Sequence, residues 1–335
     1  MRQEPKNIVI RMPNWLGDAV MATPILHDIR KNYPEAKITI LCSDVIAQLF
    51  ANNPHLDALL TFSRKTEVKK KEGRRIVQKL IEGNYDLGIL LTGSFSSAWQ
   101  FFRAKIPLRL GYSTHFRKFL LTHPVAIPEH DETQHLVISY KQLLAPLGMA
   151  VSDTPLELFV SNEEKKAATE LLASFDIHDD HRLIGINPGA AYGSAKCWPK
   201  ERFRKLSERL LQDPKIRILY FGDSHSKALV DDICMGLPLR VNNLAGKTTL
   251  RELIALIDAC SLLITNDSGP MHIGAAVHTP LVAIFGSTNA IKTGPYSNGK
   301  VVQKHVPCSP CYLRKCPIDF RCMMNISVDD VVEAL

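Results

Sequence analysis

The feature that most restricts this chain is an alternation that runs twice: short aliphatic and β-branched runs, separated by stretches with apolar residues at helical spacing. The runs at 8–10, 38–41 and 87–91 alternate with helical stretches at 20–33, 74–82 and 96–103. Parallel strands need a crossover between neighbours and an amphipathic helix supplies it, so the pattern predicts β-α-β units over a parallel sheet. Pro24 falls in the first helical stretch, where it is tolerated in the first turn or kinks the helix.

The alternation pauses at 123–132, which is rich in Pro, His and acids. A helix at 134–145, a Pro-containing stretch at 151–155 and a helix at 163–172 lead to a hinge-like segment at 176–182. The pattern then restarts through the runs 183–187, 216–220, 262–265 and 281–285. With 335 residues, more than one core usually organises, the expected architecture is α/β: two Rossmann-like, doubly wound parallel-sheet domains facing a cleft. Their expected bounds are 1–160 and 182–335, with 161–181 as linker.

Composition narrows the classes. Hydrophobic residues make up 45% and charged residues 22%, values of an ordinary globular chain. No apolar run approaches the ~18 residues of a bilayer span and the first six residues open no signal segment, so a cytoplasmic protein is expected. The net charge of +7 is concentrated: residues 61–120 hold 13 Lys or Arg against 4 Asp or Glu, a balance of +9 that leaves 7 − 9 = −2 elsewhere. An acidic partner is implied, and nucleic acid, an anionic membrane or a phosphorylated substrate would each meet that demand. Nucleic acid fits least, because the basic run has no interleaved aromatics and no module motif. Of eight cysteines, Cys308, Cys311, Cys316 and Cys322 cluster near the end. Thiolates at short spacing suit structural zinc, but these gaps are loose for a zinc ribbon, and a reduced surface loop without metal is the plainer expectation.

Three loops carry chemistry. The first, at 12–18, leaves the first strand and ends on Gly17 and Asp18. There a carboxylate either caps the following helix or serves as a general base at the ligand end of the sheet. No Gly-x-Gly-x-x-Gly run follows, which argues against a dehydrogenase. The second, at 187–199, contains Gly189, Ala190 and then Lys196 ahead of Trp198 and Pro199, an ammonium at a strand's carboxyl end where a diphosphate can sit. It lacks P-loop spacing, so ATP hydrolysis is not supported. The third, at 265–272, sets Asp267, Ser268 and Gly269 at a helix start that suits an anion, with His272 either touching a phosphate or buried. Asp223, after the run at 216–220, stands where a ribose diol is held.

Taken in order, these segments resemble the family of ADP-heptose:lipopolysaccharide heptosyltransferases, glycosyltransferase family 9 in the GT-B arrangement, over nearly the whole chain. The family's Gly-Asp pair falls on Gly17 and Asp18, its Lys-x-Trp-Pro segment on 196–199 and its Asp-Ser-Gly-Pro-x-His loop on 267–272. The run Pro13-Asn14-Trp15-Leu16-Gly17-Asp18, the serines at 94, 96 and 97 and the Pro188-Gly189-Ala190 step before Gly193 are similar to the type II members. The family often has a charged or bulky residue where Ala191 stands.

The resemblance implies an inverting transferase that moves L-glycero-D-manno-heptose from ADP-heptose to the first heptose of the lipopolysaccharide inner core, on heptosyl-Kdo2-lipid A. Asp18 is the expected base and Lys196 the expected support for the departing diphosphate. Gly17, Gly189, Ala190, Asp223, Asp267, Ser268, Gly269 and His272 complete the expected donor site. Arg64, Lys65, Lys69, Arg74 and Ser94, with Lys70, Lys71 and Arg75 beside them, are expected at the acceptor. No cofactor is required, and magnesium is at most stimulatory. The chain is expected to lie peripherally on the inner leaflet of the inner membrane. Rival readings are a type I or later core transferase, a GT-B-shaped nucleotide-sugar epimerase, and a non-catalytic glycolipid-binding module.

Overall fold

The structure is a computed structural model, and it describes residues 4–63, 69–129, 131–296 and 298–335. The chain divides into two units, Met1–Phe159 and Val160–Leu335. In the first, six strands form one parallel sheet: β1 (Asn7–Arg11), β2 (Lys37–Ser43), β3 (Ala58–Phe62), β4 (Leu87–Leu90), β5 (Leu108–Tyr112) and β6 (His123–Val125). Their order is β3-β2-β1-β4-β5-β6. Ile8 is flanked by Ile38 on β2 and Leu87 on β4, and all three are buried.

The second unit repeats this plan with β7 (Arg182–Asn187), β8 (Ile216–Tyr220), β9 (Val241–Asn243), β10 (Leu262–Asn266), β11 (Leu281–Phe285) and β12 (Gly299–Gln303). The order β12-β11-β10-β7-β8-β9 is the first sheet's order in the second unit's own strand sequence. Helices cover the sheets, so the central strands are buried on both faces and read as continuous apolar runs. The doubly wound expectation for both halves is met.

Each sheet reverses its winding direction once, between β1 and β4 and again between β7 and β10. At such a switch point two adjacent loops diverge at the strands' carboxyl ends and leave a ligand crevice. All three loops singled out in the sequence open from these strands.

Details differ from expectation. The helix expected at 20–33 is two helices, Leu16–Met21 and Pro24–Asn32, with Pro24 opening the second; its missing N–H costs nothing in a first turn. The pause at 123–132 contains β6, a three-residue edge strand that tolerates Pro124 because an edge needs fewer ladder bonds. The helix expected at 163–172 is present as Asn162–Ala173, opened by a Ser161/Glu164 capping box. Glu164 also holds Arg251 at 2.6 Å, and Lys165 pairs with Asp258 at 3.2 Å, so this helix is docked on the helix Leu250–Asp258 of the second unit.

Candidate active site

In the first unit, β1 ends at Arg11, whose buried guanidinium turns back to hold the next loop: it donates to the Met12 carbonyl and, at 2.8 Å, to Asn14 Oδ1. The helix Leu16–Met21 then begins with Trp15 in the cap position, and no side chain caps it there. Asp18 is therefore the third residue of the helix rather than its N-cap, half-buried and in its first turn, with Gly17 just before it. Acidic side chains in a first turn are stabilised by the helix dipole. Tyr140, buried nearby, has its pKa raised well above the usual phenol value by burial and next by the Asp18 carboxylate.

The neighbouring loop, after β4, is braced by a residue the sequence reading did not single out. Arg117 is fully buried; its Nη1 donates to the carbonyls of Thr92 and Ser94 and its Nε to Tyr112 O at 2.8 Å. Burial lowers the Arg117 pKa to about 10. Thr114 adds a bond to Gly93 O at 2.9 Å. Ser94, expected at the acceptor, is the N-cap of the helix Phe95–Arg103, accepting from Ser97 N.

The basic segment separates into parts. Arg64 and Lys65 lie outside the described residues. Lys69 opens the helix Lys69–Glu82, and Arg74 is exposed on it. Arg75, counted with them in the sequence, is instead paired within the protein, to Glu72 and, at 3.1 Å, to Thr61 O.

In the second unit the two switch-point loops are tied to each other. Asn187, at the end of β7, donates to Gly189 O and to Ser268 Oγ, both at 3.0 Å. Asn266, at the end of β10, donates to Pro188 O at 2.6 Å and accepts from Trp198 N at 3.1 Å. Across this strap Lys196 Nζ meets Asp267 Oδ2 at 2.5 Å, and Thr288 Oγ1 donates to the same oxygen at 2.5 Å. Lys196 is 14% and Asp267 4% exposed in their side chains, so the pair sits at the edge of solvent with the ammonium outermost. Lys196 Nζ also lies 4.9 Å from the Tyr192 ring centroid.

Ser268 begins the helix Gly269–Ala276 without a side-chain cap bond, and Pro270 stands in its first turn. Pro270 brings no N–H to this turn and Met271 N donates to Ser268 O at 3.1 Å, so what the helix start offers an anion is chiefly its dipole. His272, undecided in the sequence, is buried at 3% exposure. Asp223 caps the turn Ser224–Ser226, accepting from Ser226 N and Oγ at 2.9 and 2.7 Å. Gly189 closes on that turn: a Cβ there would sit 2.5 Å from Ser226 Oγ. Ala190 follows it, half-buried.

The cysteine-rich tail forms the far wall of the Lys196 loop. Tyr192 OH donates to Tyr312 O at 2.5 Å, Ala195 N to Arg314 O at 3.1 Å, and Arg314 lies over the Tyr192 ring at 5.4 Å. Gly193, at φ +155°, has no room for a Cβ, which would meet Arg314 O at 2.3 Å. All eight cysteines are free thiols. Among the described residues Cys308, Cys311, Cys316 and Cys322 do not gather three sulfurs at ligand distance; that convergence occurs at His27, His55 and Glu157.

Known proteins are similar to this chain in sequence and fold. Residues 73–320 match the profile of glycosyltransferase family 9 (heptosyltransferase). A lipooligosaccharide heptosyltransferase 2 of Campylobacter jejuni is 30% identical over 332 residues, covering 97% of this chain and 96% of the relative. The structure of Escherichia coli ADP-heptose lps heptosyltransferase II superposes with a TM-score of 0.80 at 26% identity, covering 98% of this chain and 97% of that one. A glycosyl transferase family 9 structure from Veillonella parvula reaches 0.87, also at 26% identity, over 100% and 97% of the two chains.

Proposed function

The chain belongs to glycosyltransferase family 9, the heptosyltransferases, and from that premise we propose a type II reaction in which Asp18 is the general base. It is a glycosyltransferase of lipopolysaccharide core biosynthesis that transfers heptose. ADP-L-glycero-D-manno-heptose is the donor, held by the second unit, and the first heptose of the inner core on heptosyl-Kdo2-lipid A is the acceptor, held by the first. Asp18 takes the proton from the acceptor hydroxyl as that oxygen forms a bond to the donor's anomeric carbon. The bond from that carbon to the diphosphate breaks on the opposite side, with inversion, and ADP departs with the electron pair.

Charge grows on the diphosphate as this bond breaks, so fixed positive charge there is worth most in the transition state. Lys196 supplies it, together with the dipole at the start of the helix Gly269–Ala276. Asp267 aims Lys196, with Thr288 steadying the carboxylate; in this reading Asp267 touches the donor through the lysine. Magnesium would add to the same charge. The observation that carries the reading is the pair of matched switch points, one presenting a half-buried carboxylate and the other an ammonium beside a helix start.

The acceptor is a lipid, and we propose that the first unit meets it at the inner leaflet. Among the described residues no helix is long and apolar enough to cross a membrane. Phe95, Trp99 and Phe102 share one exposed stripe of the helix Phe95–Arg103; Phe119, 70% exposed, packs beside Phe95, and Phe116 is 95% exposed. Residues 87–128 contain no Asp or Glu, and Arg103, Lys105 and Lys118 are exposed among them, while Arg109 and Arg117 are engaged within the fold. Unlike the lysine-rich stretch at 64–75, which holds no aromatic residue, this stretch sets exposed aromatics beside exposed basic side chains, which suits the interface of an anionic bilayer.

Mass analysis of products from ADP-heptose and a panel of truncated cores tests the reaction. One added heptose on the mono-heptosylated core, and none on the heptose-free core, is expected. Transfer to the heptose-free core would make it a type I enzyme, a donor isomerised without acceptor an epimerase, and an intact donor with every core a binding module.

A further inference from the structure

Away from both switch points, three side chains from three separate elements converge. His27 comes from the helix Pro24–Asn32, His55 from the loop ahead of β3, and Glu157 from the extended segment that ends the first unit. His27 Nδ1 and His55 Nε2 each lie 3.6 Å from Glu157 Oε2, and the three ligand atoms are all within 4.8 Å of one another. Their imidazole centroids are 4.8 Å apart. His27 Nδ1 is buried and makes no hydrogen bond, although a buried ring nitrogen ordinarily has one.

From this geometry we infer that His27, His55 and Glu157 form a binding site for one divalent transition-metal ion of the zinc class. Two imidazoles and a carboxylate are the ligand set that such borderline ions take, with bonds of about 2.0–2.2 Å. A tetrahedral ion with those bonds spaces its donors by roughly 3.3–3.6 Å. The two observed separations of 3.6 Å lie at the upper end of this range, within reach of small side-chain rotations. The third donor pair, the two ring nitrogens, has further to come, and His27 on the open flank, with 37% of its side chain exposed, can move. That flank leaves the fourth position to water.

The supports are those of a ligand shell. Glu157 is fixed by its own N–H, which donates to Thr23 Oγ1 at 3.1 Å, and the His55 carbonyl accepts from Arg30 Nη2 at 3.3 Å. Phe159 stands edge-on to the His55 ring at 6.0 Å. His55 precedes β3, on the amino-terminal side of the sheet, whereas Asp18 follows β1 on the carboxyl side. The ion's role is accordingly structural: it pins the segment bearing Glu157 to the helix Pro24–Asn32, which follows the short helix bearing Asp18.

The test uses the whole protein, reduced, stripped with a chelator and titrated with zinc alone and with cobalt alone. Four variants run in parallel: His27→Gln, His55→Gln, Glu157→Gln, and one with Cys308, Cys311, Cys316 and Cys322 all changed to Ser. About one ion per chain should bind the wild type and the four-serine variant, with a cobalt spectrum free of thiolate charge-transfer bands. Each ligand variant should bind at least roughly tenfold more weakly, and zinc should raise the unfolding temperature of the wild type more than that of His27→Gln. His27 is half exposed, so this variant folds even if Glu157→Gln does not. Unchanged affinity in both histidine variants, or binding lost only in the four-serine variant, would overturn the proposal.

Discussion

The two halves of this chain place their loops at the same topological position and build them from different materials. In the second unit the loops after β7 and β10 are sewn together by Asn187 and Asn266, and Lys196 and Asp267 form an ion pair across the seam. In the first unit the loops after β1 and β4 are each braced from behind, by Arg11 and Arg117 donating to backbone carbonyls, while Asp18 stands half-buried in front of them. A diphosphate carries its charge in a fixed geometry and rewards a rigid cationic seat. A sugar hydroxyl brings no charge until its proton leaves, so it needs a carboxylate with freedom to approach.

The sharpest way to break this comparison is Asp18→Asn. Turnover should fall by roughly 10²–10⁴ while ADP affinity, seated in the other unit, stays at the wild-type value in calorimetry. Turnover within a few-fold of wild type would reduce Asp18 to a favourable first-turn acid. Next comes Lys196→Gln, which removes the cation and should lower kcat by roughly 10²–10³. It also strands the Asp267 carboxylate, which is 4% exposed, at a cost of roughly 3–5 kcal/mol. Adding Asp267→Asn should recover the melting temperature and leave turnover low, so that the two measurements separate folding from catalysis.

How much of this was legible before folding follows from burial. β1, β4, β7 and β10 are covered on both faces and announce themselves as apolar runs, and the loops leaving them inherit the switch-point position, which is why Asp18, Lys196 and Asp267 stand out in the sequence. The strands β3, β6, β9 and β12 are sheet edges, largely half-exposed; Pro124, Asn242 and Lys300 interrupt three of them, and in β3 the apolar run is only the three residues Ala58-Leu59-Leu60. Arg117 was illegible for another reason. A fully buried guanidinium that satisfies backbone carbonyls is indistinguishable in sequence from the solvated Arg103 or Lys118 near it, because its partners arrive through tertiary structure. The same holds for Lys196 with Asp267: each loop suggested an anion site, and neither disclosed that the two charges face each other.

The seam itself can be opened. Asn266→Ala removes the donor to Pro188 O and the acceptor of Trp198 N, both buried, and an unsatisfied buried group costs roughly 1–3 kcal/mol. The melting temperature should fall accordingly, and KM for the donor should rise before kcat changes, because the seat loosens while Lys196 and Asp18 remain. An unchanged donor KM would show that the strap serves folding alone.

The smallest effect probes charge rather than geometry. Residues 61–120 carry a balance of +9, and if that excess serves the acidic, lipid-borne acceptor, its removal must be felt by the first unit alone. Changing Lys71, Arg74, Arg103 and Lys105 together to Gln spares Arg11, Arg75, Arg109 and Arg117, which are engaged within the fold. Each basic group near an anionic surface is worth about 1 kcal/mol, roughly fivefold in affinity, and screening reduces that at physiological salt. The acceptor KM on phosphatidylglycerol vesicles should therefore rise by at least fivefold at low salt and by less at high salt, with ADP affinity and kcat unchanged. A KM that ignores both the substitutions and the salt would assign the basic segment to solubility, and the contrast between the two units would rest on their switch points alone.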